Sequence, residues 1–217
     1  YLKMNEKKHV QYKVISDVHL WHRNILEYCD RPYVSVESMS NHLMDRLVDQ
    51  SREEDVLWFL GDLSFQFGTY KDWLFERLSD MQGSMRWILG NHDDHPDKNG
   101  KFRRMERLVS LFEFVGHADS RLYAGKHVFF SHYPLHIPDA DTGRLVSIHG
   151  HTHGSIPNPI GRIDVGVDNL FGLRNHPDTQ DILKGYNFGP ISLKDAVTLA
   201  SRDLPSPYGE RSGIITF

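Results

Sequence analysis

Apolar residues in this chain cluster into short continuous runs, separated by longer stretches in which they recur at helical spacing. The runs YKVIS (12–16), DVLWFL (55–60), MRWIL (85–89), KHVFFS (126–131), RLVSIH (144–149) and RIDVGV (162–167) predict buried strands. Between the first two, Met39, Leu43, Met44, Leu47 and Val48 lie on one helical face, and Tyr70, Trp73, Leu74, Leu78 and Met81 do the same before the third. The first half therefore reads strand-helix-strand-helix-strand, the pattern of parallel strands joined by crossover helices. Strands between residues 113 and 167 follow one another with little helix between them, which predicts a second, more antiparallel sheet. The expected class is α/β, two sheets covered by helices. SLKDAVTLA (192–200) opens on Ser192 with Asp195 three residues later and predicts a late, capped helix. The Pro-, Gly- and Ser-containing end from Leu204 reads as an extended tail, giving a single domain over 1–203 and a tail over 204–217, with no internal repeat and no linker.

Composition narrows the class. A chain of 217 residues is long enough for one domain with a sizeable core. No apolar run approaches the ~20 residues that cross a bilayer, so no membrane partner is expected. The lone cysteine, Cys29, cannot close an internal disulfide, and no apolar signal segment is visible near Tyr1; both point to a reducing cytoplasm. The chain starts at Tyr1 rather than Met, which leaves a trimmed leader open. A net charge of -4 supplies no global field for nucleic acid. The unusual feature is histidine, at 14 residues.

Polar residues close the predicted strands. Asp17 and His19 follow the first, Asp62 the second, and Asn91, His92 and Asp93 the third; His132 follows a later strand, and HGHTH (149–153) ends another. In an open sheet with crossover connections the carboxyl ends of the strands share one rim, where ligands bind. Residues two apart in an extended segment share a face, so Asp17 with His19, and His151 with His153, are expected to point into a common site. Asp-x-His alone occurs about once by chance in such a composition, and Asp93 to His95 is a second instance. GNH followed by an acid is expected in under about one such chain in a hundred.

The ordered set Asp17-x-His19, Gly61-Asp62, Gly90-Asn91-His92-Asp93, His132 and Gly150-His151-x-His153 resembles the calcineurin-like metallophosphoesterase superfamily, in particular its small bacterial and phage members. The similarity covers residues 12 to 168 and less distinctly the helix start near Ile191. It implies a four-layer α-β-β-α sandwich and two metal ions at the rim. Asp17, His19 and His153 would hold one ion, Asn91, His132 and His151 the other, with Asp62 bridging. It also implies His92 as the catalytic general acid, with Asp93 either orienting it or capping a turn. His149 is left with a packing role or a supporting one. Two divalent ions bring four positive charges against the two negative charges of Asp17 and Asp62, so the site attracts phosphate and lowers the pKa of a bound water to yield hydroxide. Mixed nitrogen and oxygen donors suit manganese, with iron, zinc or nickel as alternatives.

Departures from better-known branches narrow the substrate. Phe65 stands where protein Ser/Thr phosphatases carry a second acid, and Leu20 where they carry glycine. SDVHL resembles the lipid A precursor hydrolases, yet no apolar lipid cap follows. The retromer-subunit branch lacks the catalytic histidine that His92 supplies here. His22 and Asn24 resemble an H-x-N pair that contacts phosphate, as against an ordinary helix start. Lys101, Arg103, Arg104 and Arg107 read as a solvated helix face or a phosphate grip, and residues 169–190 as a lid or a plain excursion. The expected function is metal-dependent hydrolysis of a phosphate ester, a small phosphodiester or nucleotide derivative ahead of a monoester. The rivals are a DNA-repair-type nuclease, with nucleic acid as a less favoured partner, and a catalytically silent metal-stabilised interaction module. Oligomeric state is not legible.

Overall fold

A computed structural model describes residues 10–93, 98–102, 105–137 and 142–209. Strands β1 (Tyr12–Ile15), β2 (Val56–Phe59), β3 (Ser84–Ile88) and β4 (Phe114–Gly116) pair in parallel in the order β4-β3-β2-β1. The β1–β2 connection carries α1 (Ile25–Tyr28) and α2 (Val36–Asp49), the β2–β3 connection α3 (Phe67–Ser79), and the β3–β4 connection α4 (Glu106–Val109). Helix α2 starts where the Ser35 hydroxyl accepts the Ser38 N–H and the Ser38 side chain returns a bond to the Ser35 backbone, a reciprocal cap. Its apolar stripe, Met39, Leu43, Met44 and Leu47, is fully buried and packs in one cluster with Leu57, Phe59, Met85 and Trp87 of the sheet and with Leu74 and Leu78 of α3.

The second sheet has the order β5-β6-β7-β8, from β5 (Ala118–Tyr123), β6 (Lys126–Ser131), β7 (Leu145–His149) and β8 (Arg162–Asp164). Only β5 and β6 are antiparallel, joined through Ala124 and Gly125, both at positive φ as a tight hairpin turn requires. The β6–β7 and β7–β8 pairs are parallel, so this sheet is mixed, with its antiparallel pairing confined to one edge. Residues 132–144 and 150–161 are each about a dozen long, enough to carry the chain back, and hold no α-helix among the described residues. The two sheets face each other across a dry layer in which Val14, Trp58, Leu60 and Ile88 meet Val128, Phe130, Val146, Ile148 and Ile163, and the Trp58 and Phe130 rings stack at 4.8 Å.

Strand β8 stops short of the predicted run because the Asp164 carboxylate accepts the Gly166 N–H at 2.7 Å and turns the chain into α5 (Val167–Leu173). Helix α6 (Gln180–Leu183) follows. Leu170, Leu173, Leu183 and Phe188 are buried, so residues 169–190 form a packed excursion rather than a free lid. Strand β9 (Ile191–Ser192) joins the outer side of β1 antiparallel and runs into α7 (Leu193–Leu199), whose cap is the expected one: Ser192 Oγ accepts the Asp195 N–H at 3.0 Å. Helix α7 touches β1, β7 and β8 and so lies against both sheets.

The segment after residue 203 begins inside the body: Leu204 is buried and exchanges two backbone hydrogen bonds with Asn158, and Tyr208 Oη donates to the Asp168 carbonyl at 2.9 Å. Among the described residues no helix is long and apolar enough to cross a membrane. Arg103, Arg104 and His95 lie outside the described residues; Arg107 stacks on Phe75 at 3.7 Å. Because Phe130 is fully buried between the sheets, Phe130→Ala is expected to cost about 3–5 kcal/mol, read as a lowered midpoint in chemical denaturation.

Candidate metal centre

Parallel pairing brings the ends of β1, β2 and β3 to one rim, and the ends of β6 and β7 meet them there. His132 Nε2 lies 2.9 Å from Asn91 Oδ1 and 3.5 Å from Asp62 Oδ2. His151 Nδ1 lies 3.0 Å from the same Asn91 oxygen. On the other side, His19 Nε2 is 3.4 Å from Asp62 Oδ2 and 4.0 Å from Asp17 Oδ1, while His153 Nε2 is 3.8 Å from Asp17 Oδ1. Asp62 Oδ2 thus stands between two groups: Asp17, His19 and His153 on one side, Asn91, His132 and His151 on the other. Except for Asn91 and His151, these side chains are buried.

The backbone that delivers them is not extended. Asp17, His19, Asp62, His151 and His153 all have positive φ, at 55°, 51°, 53°, 70° and 47°. The candidate ligand pairs therefore sit in left-handed turns just past the strand ends, not on one face of a strand as their spacing suggested. Each such residue costs about 1–2 kcal/mol of backbone strain, held in place by bonds around it. The His19 N–H donates to Asp62 O at 2.9 Å, and the His151 N–H to both Asp17 carboxylate oxygens, at 3.0 and 2.9 Å. Gly90 and Gly150 are required by close approach: a methyl group on Gly90 would overlap the Asp62 carboxylate, and one on Gly150 the carboxylate of Asp17.

Donor and acceptor accounting favours a cation. His132 Nδ1 is 2.8 Å from the Leu60 carbonyl, which can only accept, so the proton sits on Nδ1 and the Nε2 lone pair faces oxygens of Asn91 and Asp62. His153 Nδ1 likewise donates to Asp168 Oδ2 at 2.7 Å, turning its Nε2 toward Asp17. His19 Nε2 is buried with no hydrogen-bond partner. Lone pairs converging on carboxylate and amide oxygens repel one another unless a positive ion lies among them, and imidazole, carboxylate and amide are the donor set of a transition-metal site.

A sequence profile described as calcineurin-like phosphoesterase matches residues 11–203. The chain belongs to the calcineurin-like phosphoesterase family. Its relatives include an uncharacterised protein of the archaeon Methanocaldococcus jannaschii, 36% identical over 107 residues, 49% of this chain and 58% of that protein, so the chain spans little more than half of it. The gene 66 protein of mycobacterium phage D29 is 32% identical, covering 70% of this chain and 85% of its own, and that of phage L5 is 29% identical, covering 77% and 91%. A crystal structure of a protein of unknown function from Aquifex aeolicus superposes with a TM-score of 0.59 at 21% identity, over 88% of this chain and all of that one, a likeness of fold. The family's chemistry is metal-dependent phosphoester hydrolysis, and the clustered Asp17, His19, His132 and His153 of this phosphoesterase are placed to hold metal.

Other expected site residues fall differently around this phosphoesterase's centre. His92 is exposed at the mouth, its ring 5.3 Å from His19 and its N–H bonded to Asp62 Oδ1 at 2.9 Å. Asp93 does not serve it. Its two oxygens accept the N–H groups of Asp62, Leu63 and Gly90 at 2.9, 3.0 and 2.8 Å and the Trp87 indole at 3.2 Å, the turn-capping alternative in place of the orienting one: it is a buried clamp on two candidate ligand loops. His22 is buried, stacked on Phe65 at 4.4 Å, with its Nδ1 3.1 Å from His19 Nδ1. Asn24 is exposed and donates to Tyr28 Oη at 3.4 Å, and its side chain makes no cap on α1. His149 is fully buried with Nδ1 against the Gly150 carbonyl, the packed role.

Three residues escaped the sequence reading. Tyr133, 48% exposed, lies with its ring 4.7 Å from His151. Asp168 follows the last strand in VGVDN, as Asp62 follows the second, which was a usable signal. Arg31 carried none.

Burial, as the main cause, raises the Asp17 carboxyl to about 6 and lowers His19 to about 3. Burial also works to raise Asp62, but the nearby imidazoles of His19 and His132 hold it below the usual carboxylate range. A metal ligand must be deprotonated, so the Asp17 proton competes with the ion. Manganese affinity is expected to fall as pH drops through 6, by up to about tenfold per unit, measured by calorimetry. Asp93→Ala leaves three buried N–H groups and an indole unpartnered and is expected to cost about 3 kcal/mol or more, with lowered metal content; a residue acting only in turnover would leave the unfolding midpoint unchanged.

Proposed function

We propose that this phosphoesterase cleaves a small phosphodiester, a nucleotide derivative by preference, using two divalent ions of which manganese is the favoured kind. The observation that carries the reading is the position of Asp62 Oδ2, shared between His19 Nε2 and His132 Nε2 at 3.4 and 3.5 Å, with a complete set of three further donors on each side. Ions bound there would activate water and offset charge on the phosphoryl oxygens.

The chain's own residues do the rest. The Asp62 carboxylate fixes the His92 backbone, so the His92 ring emerges over the centre, where one of its nitrogens can give a proton to the departing oxygen. Among the described residues the guanidinium beside the centre, Arg31, is committed to Asp168 and to the carbonyls of Asp17 and Val18, so it is not offered to a phosphate dianion; a singly charged diester needs less countercharge. Tyr133 on one side and the half-buried Phe65 on the other give aromatic faces on which a nucleobase can stack.

A metal-loaded screen over aryl diesters, monoesters, cyclic nucleotides and DNA tests the reading. Turnover of diesters is expected to exceed that of monoesters. His92→Ala should keep its metal and lose about 10²–10⁴ in kcat on poor leaving groups, and Asp62→Ala should lose both metal and activity. Salt-sensitive DNA cleavage would favour the nuclease; metal binding without any turnover would favour a silent module.

A further inference from the structure

Behind the Asp17, His19 and His153 group lies a buried ion-paired layer that the proposed reaction does not use. Asp168 accepts His153 Nδ1–H at 2.7 Å, and Arg31 grips Asp168 with both prongs, Nε to Oδ1 and Nη2 to Oδ2 at 2.8 Å each. The remaining N–H groups of Arg31 reach the Asp17 carbonyl at 2.7 Å, the Val18 carbonyl at 2.8 Å and the Met39 sulfur at 3.4 Å. A guanidinium has five N–H donors, and here all five are spent inside the protein. Arg31 is 4% exposed and Asp168 1%.

From this geometry we infer that Asp168 and Arg31 are positioning residues for one metal site only, that of Asp17, His19 and His153. The inference rests on the dinuclear reading above. Asp168 holds the proton of His153 on Nδ1, which leaves Nε2 free to ligate and sets the ring plane. Arg31 holds Asp168 and, through the carbonyls of Asp17 and Val18, the left-handed turn that presents Asp17 and His19. One side chain therefore ties together the two loops that supply all three donors, although they are more than a hundred residues apart in the chain. Cys29 Sγ lies 3.5 Å from His153 Nδ1, but with both Asp168 oxygens taken by Arg31 this corner is a support and not a third metal site. The other group is supported separately, by the Leu60 carbonyl behind His132. Loss of Asp168 should consequently remove one ion and spare its neighbour.

The test compares the wild-type chain with Asp168→Asn by manganese titration calorimetry and by metal analysis after gel filtration. Wild type is expected to hold two ions. Asp168→Asn should retain one and bind the second about 10- to 100-fold more weakly, and added manganese should restore kcat with little change in KM for an aryl diester. A residue of merely structural value would lower thermal stability without separating the two sites. Two ions of wild-type affinity in a folded Asp168→Asn overturn the inference alone, whereas a wild type that binds fewer than two ions sinks the dinuclear reading beneath it. Should Asp168→Asn not fold, the wild-type chain loaded with zinc answers instead. Its long-range proton–nitrogen NMR spectrum should show His153 protonated at Nδ1, and a proton on Nε2 overturns the proposal.

Discussion

The structure depends on burying two carboxylates of like charge at the ends of adjacent strands. Asp17 and Asp62 are 0% and 1% exposed, and the charge of Asp62 adds to burial in raising the Asp17 carboxyl. Taking such a pair out of water costs several kcal/mol per ion unless opposite charge or hydrogen bonds offset it. The surrounding residues meet part of that demand. Asp17 receives the His151 N–H and Asp62 the His92 N–H, while ring nitrogens of His19, His132 and His153 face the carboxylate oxygens and leave the remaining charge for a cation. The same arrangement that relieves the pair is the one that invites a cation.

Holding these groups in place consumes conformational energy that the rest of the fold must supply. Five of the seven candidate ligands have left-handed backbone, and two glycines leave room only for a hydrogen where the ligand loops pass. Strain of this kind persists only where the surroundings over-determine it. The surroundings here are Asp93 beneath the Asp62 and Gly90 turns and Arg31 with Asp168 beneath the Asp17 and His153 turns. Each is an acid or base that is buried, fully bonded and outside the ring of candidate ligands. The apolar layer between the sheets, centred on Trp58 and Phe130, gives these clamps a rigid base.

This division decides between the two roles open to the acid in GNHD. Asp93 adjoins His92 in the chain, yet the turn that sends the His92 ring outward sends the Asp93 side chain inward, onto backbone donors. Asp168 shows the reverse: it is far from every motif in sequence and in direct contact with a candidate ligand in space.

The sequence by itself determined the α/β class, strands β1 to β3 and β6 to β8, the long helices, and the polar residues that would gather at one rim. These are local matters: side-chain period decides strand or helix, and a strand's end decides which polar residue reaches the edge. Tertiary structure alone decided the parallel pairing of β6, β7 and β8, the packing of residues 169–190, the left-handed turns that carry the ligands, and the roles of Asp93, Arg31 and Asp168. Loop length permits a crossover without compelling it, and a buried hydrogen bond joins residues that have no periodic relation along the chain. Such pairings are set by burial, because only a closed interior makes an unpartnered polar group expensive enough to select one geometry.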